Sequence, residues 1–176
     1  MLAGVGLGPG VIKGLAAGKL SIGTQISFSP NPPVAHSPFS IGVQVTNKTS
    51  AAAPIAVQVA MVQANGQIGG HFWNALATAQ QEQAKFLSGG PSAVANDQLN
   101  ASLRVLQQQV AGGATDTFTL WSDPVQPGSY TFAVWAWMNP ASGKLLATDS
   151  IGLTLAQVKL ASSAVLSLVS QPVQVS

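Results

Sequence analysis

The chain of 176 residues has no cysteine and very little charge. Without cysteine there is no disulfide scaffold and no thiolate metal centre. Charged residues make up 7%, against roughly 25% in an ordinary soluble domain. Hydrophobic residues, at 47%, are not in excess. Ser, Thr, Gln, Asn, Ala and Gly fill the gap. A protein dispersed as a monomer normally keeps more charge on its surface, so this composition points to a chain packed against neighbours. The seven basic residues are scattered and the net charge is only +2. Nucleic-acid binding needs a clustered basic stripe, so no nucleic-acid partner is expected. No run of about 18 apolar residues occurs, so no membrane span is expected. The opening "MLAGVGLGPGVIKGLAAGKL" lacks the basic start of a signal peptide and is broken by Gly4, Gly6, Gly8, Pro9 and Gly10. It reads as an extended apolar arm.

Catalytic signatures are missing as well. There is no G-x-S-x-G, no P-loop and no H-E-x-x-H. His36 and His71 are the only histidines, and neither has a carboxylate close in sequence. The five carboxylates, Glu82, Asp97, Asp116, Asp123 and Asp149, show no paired spacing. The expectation is a non-enzyme with no catalytic, cofactor-binding or metal-ligating residues.

What is present is strand patterning. "PFSIGVQVTNKTS" alternates Phe39, Ile41, Val43 and Val45 with polar or small residues, a half-buried strand. "PIAVQVAMVQANG" follows, with Asn65-Gly66 as a turn signal. A shorter strand over 23–29 precedes them and ends at Pro30, Pro32 and Pro33. The pattern changes in "HFWNALATAQQEQAKFLSGG", whose Ala, Gln and Leu content predicts a helix over 72–87 stopped by Gly89-Gly90. Strands resume on either side of Gly112-Gly113, where a hairpin is expected.

The segment "VQPGSYTFAVWAWMNPASGKLLATDS" (125–150) stands out. It reads as two strands joined by a turn at "NPASG", with a final core strand over 145–157. Trp135 and Trp137 share one side, and Tyr130, Phe132 and Val134 share the other. A strand apolar on both sides needs cover on both. The inserted helix is the expected cover for the tryptophans, or else a subunit interface. A sugar-stacking platform is the alternative, and it requires the indoles to be exposed.

These elements predict a mainly β fold: an antiparallel sandwich of about seven strands, with an eight-stranded jelly roll as the alternative. Residues 1–22 are the arm, 23–157 the sandwich with a helical insertion at about 72–100, and 158–176 an apolar tail.

"ISFSPNPPVAHSPFSIGVQVTNKTS" and "VAGGATDTFTLWSDPVQPGSYTFAVWAW" resemble the immunoglobulin-like sandwich, in its bacterial and phage cell-adhesion-type variety, as found in phage virion decoration proteins. The shared features are a proline-marked turn after the first strand, Asn47 closing the second, a Gly turn, and a "PG-x-Y" entry that places Tyr130 at the start of the penultimate strand. The likeness covers about residues 23–157; the helical insertion departs from it. It implies a binding, spacer or assembly module and no activity. The expectation is therefore a structural virion protein, a capsid decoration or cement protein or a tail component. Its partners would be other virion proteins, such as the major capsid or tail protein, and further copies of itself. The alternative is an extracellular module that binds carbohydrate or another surface. Interface candidates are Leu2, Val5, Leu7, Val11, Ile12 and Leu15 in the arm, Trp135 and Trp137, and Val165 and Leu168 in the tail.

Overall fold

The computed structural model describes residues 10–12, 18–31, 33–90, 101–122, 125–138 and 165–175. These form nine strands and one α-helix: β1 (Gly10–Ile12), β2 (Leu20–Ser29), β3 (Ser40–Asn47), β4 (Ala53–Gln63), β5 (Ile68–Trp73), α1 (Leu76–Gly89), β6 (Leu106–Val110), β7 (Thr115–Ser122), β8 (Gly128–Met138) and β9 (Val165–Val175). A turn of 3-10 helix, Ala101–Arg104, precedes β6.

All pairing is antiparallel. One sheet runs β1-β9-β8-β4, with β4 continued by β6 along its first half and by β5 along its second. The other runs β2-β3-β7 and ends on the last two residues of β5. β5 therefore belongs to both sheets and turns the corner between them. The result is an immunoglobulin-like sandwich. Its core lies between Ile55, Val57, Val59, Phe132 and Val134 of the first sheet and Ile41, Val43, Val45, Phe118 and Leu120 of the second. These positions recur every second residue, as a pleated strand with one face inward requires.

Two polar devices fix the frame. Asn47, fully buried at the end of β3, donates from Nδ2 to the carbonyls of Ala51 (2.9 Å) and Val110 (3.0 Å). Its Oδ1 accepts from the Thr49 backbone N–H (2.9 Å) and hydroxyl (2.7 Å). One side chain thus shapes the β3–β4 loop and ties the second sheet to β6 of the first. Tyr130 donates its hydroxyl to the Gln126 carbonyl at 2.7 Å. That i to i−4 bond closes a tyrosine corner at the start of β8, a feature of the immunoglobulin-like sandwich.

Several expectations are corrected. The predicted hairpin across Gly112-Gly113 is an arch. Gly113 does turn with φ +75, but β6 pairs with β4 and β7 pairs with β3 and β5, so the chain crosses between sheets. The helix begins at Leu76, not residue 72. Phe72 and Trp73 finish β5, where Phe72 packs edge-on against Phe39 at 5.8 Å. Asn74 then anchors the turn, bonding the carbonyls of Leu103 (2.8 Å) and Val105 (3.0 Å). Gly90, at φ +76, stops the helix by donating to the Phe86 carbonyl at 2.7 Å.

The largest correction concerns the 125–150 segment. A strand has two hydrogen-bonding edges, and both edges of β8 are taken: by β4 over 130–138 and by β9 over 128–136. Residues 165–175, expected as a tail, are thus an integral strand. No edge of β8 over 130–136 remains for the expected partner at 145–157, which lies outside the described residues. Pro172 sits in β9 where the register slips between Tyr130↔Val173 and Phe132↔Val169, a bulge that accommodates its missing N–H.

Candidate interaction surfaces

Among the described residues the titratable groups do not converge: no three His, Cys, Asp or Glu side chains lie close enough to hold a metal ion. Glu82 is fully buried on α1 and bonds Lys85 at 3.1 Å. Asp116 stands in β7 opposite Val45. Asp97, Asp123 and Asp149 are outside the described residues. His71 lies in β5 opposite Ala60. His36 has φ +62 and stacks on Phe86 at 4.6 Å. Its Nε2 is 3.2 Å from Gln126 Oε1, and its backbone N–H donates to the Val125 carbonyl. His36 thus pins the proline-marked loop to α1 and to the approach to β8. No described helix is long and apolar enough to cross a membrane.

Three surfaces remain. The first is the outward side of β4 and β8. Trp135 and Trp137 are each 1% exposed, beside Ala56, Gln58, Ala60 and Ala133 at 0%. They present no open face for sugar stacking. The helix expected to cover them packs chiefly against β5 and β7, near Trp73, whose ring carries the Arg104 guanidinium at 5.2 Å. Among the described residues the buried Nε1 atoms of Trp135 and Trp137 find no hydrogen-bond partner, and an unpaired buried N–H costs about 1–3 kcal/mol. Burial of the two rings outweighs that, because a fully buried aromatic contributes several kcal/mol.

The second surface is the outward side of β2, β3 and β7, which is exposed and polar. Thr115, Thr117 and Thr119 run along β7, with Gln44 and Thr46 on β3 and Ser27 and Ser29 on β2. Trp121 ends the β7 row, paired with Ser40 and Trp73. This face carries no motif, and its hydroxyl and amide residues alternating with core residues are its mark in the sequence.

The third surface is the β1/β9 edge. Gly10, Val11 and Ile12 pair with Leu168, Ser167 and Leu166. The apolar arm and tail candidates Val11, Ile12, Val165 and Leu168 therefore sit on two neighbouring strands. Leu2, Val5, Leu7 and Leu15 lie outside the described residues. Among the described residues, β9 beyond 168 has no partner on the side away from β8.

No family model and no curated protein matches the chain. Solved structures with a similar layout include the cupredoxin domain of amoB from Nitrosocaldus yellowstonii. It shares 10% identity at a TM-score of 0.35, over 80% of this chain and 86% of that one. Another is a bacterial adhesin from Mobiluncus mulieris containing intramolecular disulfide, isopeptide and ester bond cross-links. It shares 10% identity at a TM-score of 0.30, over 85% of this chain and 57% of the adhesin chain. Similarity of this degree bears on neither activity nor partner.

Proposed function

We propose that the protein is a non-enzymatic structural component of a phage virion, a capsid decoration or cement protein or a tail component, acting through contacts between subunits. The observation that supports this most directly is the β1/β9 edge. Three residues of the arm add as a strand to β9, and among the described residues no strand is hydrogen-bonded to β9 beyond Leu168 on that side. A strand edge that takes up an arm in this way is a template for the same strand from another chain. A second copy supplies such a strand in its own arm, which makes a closed homo-oligomer the natural product. The 7% charge fits a chain that keeps much of its surface against neighbours.

The test combines light scattering and particle composition. The full chain is expected to be a discrete homo-oligomer, and deletion of residues 1–12 is expected to shift it toward monomer. Mass spectrometry of purified particles is expected to find the chain at a fixed copy number. A monodisperse monomer indifferent to the deletion, and absent from particles, overturns the proposal.

A further inference from the structure

We propose that the outward face of β2, β3 and β7 is a binding site for a neutral oligosaccharide. This stands apart from the assembly reading, which rests on the opposite sheet's edge. The first observation is a groove of 360 Å³ in the middle of this face, lined by Gln25, Ile26, Ser27, Gly42, Gln44 and Thr117. A smaller depression of 120 Å³ shares Ser27, Gly42 and Thr117 with it and extends toward Ser40 and Thr119. Gly42 makes the groove. A Cβ there would stand 2.5 Å from Ser27 Oγ and 3.1 Å from Thr117 Cγ2, so any side chain would fill the floor.

The second observation is the chemistry of the lining. Gln25, Ser27, Gln44 and Thr117 are exposed, and their side chains make no hydrogen bond to another described residue. Toward one end of the face the Thr46 and Thr115 hydroxyls bond each other at 2.6 Å, and in the smaller depression the Ser40 hydroxyl donates to the Ser29 carbonyl at 3.4 Å. The four polar side chains of the groove thus remain available to a ligand. Hydroxyl and amide groups both donate and accept, as sugar hydroxyls do. They lose far less on desolvation than an ion, so they suit an uncharged polyol. The only charged residue in β2, β3 or β7 is Asp116, which alternates with Thr115 and Thr117 and so falls on the other side of β7.

The third observation is Trp121. It shares the face with Thr117 and Thr119 and pairs with Ser40 at the rim of the smaller depression. It is half-buried, leaving part of an indole for stacking beside the polar groove. A few placed polar groups beside an aromatic surface is the usual make-up of a ligand groove.

Titration calorimetry of the full chain tests this with three neutral hexasaccharides, built of β-1,4-linked glucose, β-1,4-linked N-acetylglucosamine and α-1,4-linked glucose, and with an acidic comparator, hexagalacturonate. At least one neutral probe is expected to bind saturably, with an affinity insensitive to added salt. Gln44→Ala and Thr117→Glu are each expected to weaken it by about tenfold or more, with the melting transition and near-UV spectrum of the wild type. Gln44→Ala decides the matter if Thr117→Glu disturbs folding. Saturation by no neutral probe, binding of the acidic probe alone, or binding that survives Gln44→Ala overturns the proposal.

Discussion

The two sheets differ most on the sides they turn away from the core. On β4 and β8 that side is Ala56, Gln58, Ala60, Ala133, Trp135 and Trp137, none more than 1% exposed. On β2, β3 and β7 it is Ser, Thr and Gln, largely exposed. Both sets alternate with core residues at the same two-residue period. The alternation alone does not say which side meets water; residue type does. Apolar residues on both sides of β4 and β8 signal burial on both. Hydroxyls and amides on the second side of β3 and β7 signal an accessible face. The centre of the first sheet, β4 and β8, is thus packed on both sides, and the second sheet turns an accessible polar face outward.

The sharpest way to break that comparison is Trp135→Ala. Removing a fully buried indole is expected to cost about 3–5 kcal/mol, read as a lower urea midpoint with two-state analysis. A loss under about 1 kcal/mol, the range of surface substitutions, would mean that this face is not packed. Asn47→Ala attacks the seam between the sheets. It removes four hydrogen bonds made by a fully buried side chain, for an expected loss of about 2–4 kcal/mol. Unchanged stability there would mean that β3 and β6 are held by packing alone. Thr119→Val tests the opposite face. It keeps the β-branched shape and loses only a hydroxyl at an outward position, so stability is expected to change by less than about 0.5 kcal/mol. A loss near that of Trp135→Ala would show the polar face to be structural after all.

Much of the fold was legible where one residue's chemistry had one outcome. Phe39, Ile41, Val43 and Val45 formed a half-buried strand because their alternation allows nothing else in a two-layer fold. Tyr130 and Asn47 were marked by position, and their hydrogen bonds explain why those positions need those side chains. Phe72 and Trp73 misled because helical composition begins beside them, yet the core needed both rings in β5. The partner of β8 misled for another reason. A nearby turn signal favours the next segment, while the actual neighbour, β9, comes from beyond residue 164. The recognition face was hardest to see, since its groove is made by a missing side chain, Gly42.

The sequence by itself determined a charge-poor β-sandwich with no disulfide, an inward face on each strand, and two tryptophans that had to be covered. Those follow from composition and period, which act locally. Only the tertiary structure decided that β5 turns the corner, that the chain arches between sheets at Gly113, that 165–175 completes the first sheet, and that Ser27, Gly42 and Thr117 meet at a groove. Each of those depends on which distant segment fills an open hydrogen-bonding edge. That choice is settled by competition among the strands of the folded chain, not by any one segment's own pattern.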